Sequence, residues 1–201
     1  MPRVALFALS TLALALTLPA SAHETVYVGN LAGSKEAPAN ASPGTGSVVI
    51  TFNDHDSTMR VQFDYAGLIG TSTAAHIHCC TVTAETGTTG VATTTPTFTG
   101  MVLGLNSGSY DHTFDMTLAS SYNSAFLNNV STYNGNTALA FAGLMDGVAT
   151  GKAYLNVHSN AFPGGEIRTF LQLAPVPEPG TYALMLSGLG VLALVARRRR
   201  G

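Results

Sequence analysis

The chain has 201 residues, 46% hydrophobic and 10% charged, with a formal net charge of −2, two cysteines and no tryptophan. Five of its nine basic residues lie close to the two ends, so the stretch between keeps four basic against ten acidic residues, a formal charge of −6. That excludes a basic surface for DNA or RNA and leaves enough chain for one domain rich in Thr, Ser, Gly and Ala, a composition of strands and turns.

The first residues, MPRVALFALSTLALALTLPASAHE, set Arg3 before an apolar run over 4–18, a break at Pro19 and an A-x-A signature ending at Ala22. This reads as a secretory signal peptide (1–22) cleaved between Ala22 and His23. The alternative, a membrane anchor, is disfavoured because the run is shorter than the roughly 20 residues of a span. Cleavage there creates an N-terminal His23 whose amine and ring suit a copper brace, as in copper-dependent polysaccharide oxygenases, although nothing else in the chain is similar to that family.

The domain is expected over 23–175. TVYVGNL (25–31) and GSVVITFN (46–53) alternate as strands, and TMRVQFDY (58–65) returns from the NDHDS turn as the second arm of a hairpin. Met59, Val61, Phe63 and Tyr65 fall on one face of that arm, Arg60, Gln62 and Asp64 on the other. TAAHIHCC (73–80) reads as a fourth strand, and the Thr-rich stretch 81–100 as a long surface loop or a site of O-glycosylation. YDHTFDMTL (110–118) is a fifth strand. SSYNSAFLNNV (120–130) suits a short helix, and NTALAFAGLMDG (136–147) a longer one with Leu139, Phe141 and Leu144 among its apolar positions, Asn136 as N-cap and Gly147 as stop. GKAYLNVHS (151–159) and GEIRTFLQL (165–173) are two final strands joined through NAFPGG. The expected fold is mainly β, an antiparallel, Ig-like β-sandwich with one or two short helical insertions.

Strand alternation puts His76, His78 and Cys80 on one face, with Ala75, Ile77 and Cys79 toward the core. Two imidazoles about 7 Å apart along one face can converge on one ion. If AYLNVHS pairs with this strand, His158, which shares a face with Tyr154 and Asn156, supplies a third nitrogen; a three-histidine set suits Zn or Cu. Asp111, His112 and Glu166 are further candidate ligands or second partners. The competing reading is a purely structural polar cluster. Adjacent Cys79 and Cys80 in an oxidising compartment point to a vicinal disulfide, with a buried Cys79 beside a reactive Cys80, or an intermolecular link, as the alternatives. Glu166 and Arg168 share a strand face and are expected to form an exposed ion pair.

The last 26 residues, a segment beginning at Val176, hold Pro177, Glu178 and Pro179, an apolar run over 182–196, and Arg197, Arg198, Arg199 and Arg200, which the positive-inside rule keeps in the cytoplasm. These three parts in order resemble the PEP-CTERM sorting tail of Gram-negative bacteria (176–201); a plain tail anchor is the alternative. The resemblance implies cutting near the triplet by an exosortase, after transient anchoring in the inner membrane, and release to the cell surface or the extracellular matrix beside exopolysaccharide or other matrix proteins. Farther in, GLIGTSTAAHIHCC together with AYLNVHSNAFPGGEIRTFL resembles the two signature segments of the CHRD domain, and NLAGSKEAPANASPGTGSVVITFND resembles its opening strands. This similarity implies a β-sandwich of extracellular proteins; the chain departs from it at Cys79 and Cys80, where Gly-Pro is common. No Gly-x-Ser-x-Gly elbow, phosphate loop or His-Glu-x-x-His helix occurs in the sequence. A non-enzymatic surface or matrix binding module is therefore expected. The alternative is a metal-binding protein, whose His-x-His strand locally resembles the copper strand of Cu/Zn superoxide dismutases.

Overall fold

The alternation in the first three strands builds the sheet. β1 (Glu24–Ala32) pairs antiparallel with β2 (Thr45–Asn53), which turns into β3 (Thr58–Ala66) with Val48 opposite Phe63 and Ile50 opposite Val61. Met59, Val61, Phe63 and Tyr65 are buried, as the pattern requires. β4 (Ser72–His78), a long connection and β5 (Gly108–Asp115) follow. Then come α1 (Ser124–Leu127), α2 (Thr137–Ala149), β6 (Tyr154–Ser159), β7 (Ile167–Phe170) and β8 (Gln172–Leu173). This computed structural model describes residues 24–175 and, in the tail, 185, 187–190, 192 and 196–198. The leader, His23, Pro177, Glu178, Pro179, Arg199 and Arg200 lie outside the described residues. Among the described residues no helix is long and apolar enough to cross a membrane.

The strand order is β4-β6-β7-β1-β2-β3-β5, with β8 also on β1, every pairing antiparallel. The mainly β, antiparallel architecture with short helical insertions is the one expected. Its strands belong to one sheet, curled into a half-barrel. The core joins Ile50, Phe52 and Met59 to Ile77, Leu155 and Ile167, and to Leu144 from α2. Each such side chain contributes roughly 1.5–3 kcal/mol by leaving water.

Three local expectations change. The last strand is two: Leu171 is buried between β7 and β8, and β8 crosses onto Tyr27 and Val28 of β1. Leu139 lies on the exposed side of α2, where Ala140, Phe141, Leu144 and Val148 carry the buried face. Asn136 caps α2 as expected, its side chain accepting from the Leu139 amide at 3.1 Å. Gly147, however, lies inside the helix and does not stop it. A Cβ there would collide with the sulfurs of the disulfide between Cys79 and Cys80. The helix needs glycine for this close approach, despite the roughly 1 kcal/mol by which alanine is ordinarily preferred.

The Thr-rich connection is not merely a surface loop. β4 is an edge strand, and an edge leaves backbone groups unpaired. Thr93 and Thr97 use their hydroxyl oxygens to accept from the Ile77 and Ala75 amides, each at 3.0 Å. Ala92 and Phe98 donate their amides to the carbonyls of Ile77 and Ala75. Phe98 is fully buried and packs against Phe63, Tyr110 and Phe114 with ring centroids 5.4–6.0 Å apart. Short polar side chains close the edge, and one aromatic anchors the segment in the core.

Candidate metal centre

β6 lies beside β4 with His76 opposite Asn156, His78 opposite Tyr154 and Ala74 opposite His158. Directly paired residues share a face, so this register brings the three histidines together on the face away from Ile77 and Leu155. Ring centroids are 5.1 Å apart for His76 and His158, 5.8 Å for His76 and His78, and 6.1 Å for His78 and His158. One ring nitrogen from each lies within 4.8 Å of the others. Donor atoms 2.0–2.1 Å from one tetrahedral ion lie roughly 3.3 Å apart, so the three rings close on an ion by turning inward from this separation.

The protonation pattern follows from the partners. His76 Nε2 meets the Pro96 carbonyl at 2.6 Å, His78 Nδ1 the Thr89 carbonyl at 2.9 Å, and His158 Nδ1 the Pro163 carbonyl at 2.9 Å. A carbonyl only accepts, so each of these nitrogens carries the hydrogen. In the neutral ring the other nitrogen is then a bare lone pair. Those three atoms, His76 Nδ1, His78 Nε2 and His158 Nε2, are buried and have no hydrogen-bond partner. Burial holds the rings neutral: it lowers all three, taking His76 to about 4, and mutual repulsion within the trio adds to the effect at His76 and His78. The backbone carbonyls oppose that trend without overcoming it. His78 is further fixed by stacking on Tyr154 at 4.7 Å with the rings nearly parallel.

Behind the histidines lies a buried polar layer. Asn156 Nδ2 donates to Glu36 Oε1 at 3.4 Å, and Glu36 Oε2 is 3.7 Å from Arg168 Nε. Burial raises the Glu36 carboxyl to about 7 against the lowering pull of Arg168. Arg168 lies over Tyr154 and Phe170 at 4.7 and 5.5 Å and donates to the carbonyls of Lys35 and Gly87. The sequence gives no sign of Glu36, which arrives from the segment after β1. Nor does it mark the carbonyls of Thr89, Pro96 and Pro163, since backbone atoms leave no side-chain signature. Asn156 is visible in Asn-Val-His, two residues before His158 and on its face.

The other candidates fall elsewhere. Asp111 and His112 are on β5, at the far edge of the sheet from β4. Asp111 accepts from Arg60 through both oxygens, at 2.8 and 2.7 Å, and His112 packs on Phe114 at 4.6 Å. Glu166 and Arg168 do not form the expected exposed pair. Glu166 is fully buried and accepts from Ser42 and from the Ile69 and Gly70 amides, while Arg168 pairs with Glu36. Burial pushes the Glu166 carboxyl up, but these hydrogen bonds and one to Ser159 prevail and hold it below the ordinary glutamate range. Cys79 and Cys80 are joined as a vicinal disulfide directly after His78, Cys79 buried and Cys80 exposed.

The family description CHRD domain matches residues 27–171, and PEP-CTERM protein-sorting motif matches 175–200. Neither the curated proteins nor the solved structures compared with the chain give a match. The sorting motif implies processing by an exosortase and supports export and surface localisation. The chain, with its histidine-bearing β4 and β6 both inside the matched span, belongs to the CHRD domain family and carries a PEP-CTERM sorting motif behind that domain.

Proposed function

We propose that this exported protein is a non-enzymatic surface module whose CHRD domain holds one divalent transition metal, zinc or copper, between His76, His78 and His158. The observation that carries the reading is a cluster of three histidines, each offering a ring nitrogen within 4.8 Å of the others and each keeping a buried, unpartnered nitrogen opposite one bonded to a carbonyl. Neutral nitrogen donors oriented from behind are what zinc and copper sites use. A purely structural cluster would pair its donors with its acceptors; these rings direct every hydrogen outward. The sorting motif supports the rest of the reading. The tail anchors the protein transiently in the inner membrane, an exosortase releases it, and the metal module then sits beside exopolysaccharide or other matrix proteins.

The test is metal content by mass spectrometry of the exported protein, purified without chelators or affinity tags, beside a His76→Ala/His78→Ala variant. One equivalent of zinc or copper, lost in the variant, is the expected result. A folded wild type without metal would leave the histidines a structural cluster.

A further inference from the structure

This inference rests on the metal reading above and extends its ligand set. We propose that Asn156 is the fourth ligand: its Oδ1 joins His76 Nδ1, His78 Nε2 and His158 Nε2 in an N₃O donor set for a divalent transition metal. Asn156 stands opposite His76 in the β4–β6 register and two residues before His158, so it projects on the same face. It is 2% exposed, and its Oδ1 has no hydrogen-bond partner.

Which end of the amide faces the histidines is settled by Glu36. Its Oε1 accepts from Nδ2 at 3.4 Å, leaving the amide oxygen for the cluster. Four buried, unpartnered acceptors then belong to one face of the β4–β6 pair, and the hydrogen bonds their groups donate run to Pro96, Thr89, Pro163 and Glu36. Leaving a single buried acceptor unsatisfied is already costly. A water has two hydrogens to offer four acceptors; a cation satisfies all of them at once. Gly165 fits the same account. Its φ is +129°, and a Cβ there would collide with Asn156 Nδ2 and approach Glu36 Oε1 to 2.7 Å, pushing on the pair that orients the amide.

The experiment uses the exported protein and its Asn156→Leu and Asn156→Asp variants. It measures the Zn²⁺ dissociation constant by competition with a chromogenic chelator and the visible spectrum of the Co²⁺-substituted forms. Wild type should bind one ion with the intense bands of a four-coordinate site. Asn156→Leu should weaken Zn²⁺ binding at least about tenfold and change the Co²⁺ spectrum. Far-UV circular dichroism and cooperative unfolding in chelator should show that the variant is folded. Asn156→Asp, which keeps an oxygen in place, should retain the ion with shifted bands, and it carries the test if the Leu variant does not fold. Wild-type affinity and spectrum in Asn156→Leu, or an unshifted spectrum in Asn156→Asp, would remove Asn156 from the set while leaving the three histidines. A wild type that binds neither ion would overturn both readings.

Discussion

Replacing His76 by leucine should make the metal-free protein more acid-tolerant, by an amount that follows from the burial of the ring. His76 titrates at about 4 in the folded protein against 6.5 when unfolded. A depressed histidine stabilises the fold at pH values above 6.5, and that contribution is lost as the pH falls toward 4, because the unfolded chain takes up the proton first. At pH 5, 1.5 units into that interval, the loss is about 2 kcal/mol at roughly 1.4 kcal/mol per unit. His78 and His158, also depressed, act in the same direction. Glu36 acts in the opposite one: its carboxyl, raised to about 7, makes acidification stabilising. The net pH dependence of the wild type is therefore not diagnostic, but the difference between two proteins is. Urea unfolding at pH 7.5 and 5.0 in excess chelator should show His76→Leu losing about 2 kcal/mol less than wild type over that interval. Equal losses in the two proteins would mean that the His76 ring is not held neutral by burial, and the lone-pair argument would fail with it.

The remaining predictions concern the frame around the site. Phe98→Ala should destabilise the domain by about 3–5 kcal/mol, as for a core aromatic; a cost within about 0.5 kcal/mol in denaturant unfolding would return residues 81–100 to the surface. Gly147→Ala should lower the melting temperature, against the helix propensity of alanine, because the new methyl meets the Cys79–Cys80 sulfurs; a rise would refute that packing. Glu166→Gln should cost about 2 kcal/mol through weakened charge-assisted hydrogen bonds to Ser42, Ile69 and Gly70, with metal stoichiometry unchanged. A lost equivalent of metal in that variant would restore Glu166 to the candidate ligands.

Much of this was legible because the period of 2 in a strand fixes faces before any pairing is known. Met59 to Tyr65 showed their buried face, and His76, His78, Asn156 and His158 showed that they could share one. What the sequence could not supply was the register, and with it the neighbours. The β4–β6 pairing is a long-range choice made by the whole core. Arg168, two residues from Glu166 on one strand, looked like its partner; in the fold each finds a different segment, because buried charges bond to whatever backbone and carboxylate the loops deliver. Polar composition also misled. The threonines of 81–100 suggest solvent, yet Thr93 and Thr97 serve as acceptors for an edge strand, and Phe98, the lone aromatic among them, is buried in the core. Glycine commonly ends helices, which makes Gly147 look like a stop, whereas its neighbours across space, the Cys79 and Cys80 sulfurs, require it.

The most direct test of the central claim is an anomalous-difference map from crystals of the exported protein grown with Zn²⁺ and recorded at the zinc edge. The account predicts one strong peak about 2.0–2.1 Å from His76 Nδ1, His78 Nε2 and His158 Nε2, a mixed set in which His76 coordinates through the opposite ring nitrogen from the other two. A peak elsewhere, or an ordered His76–His78–His158 cluster with no peak beside it, would contradict it.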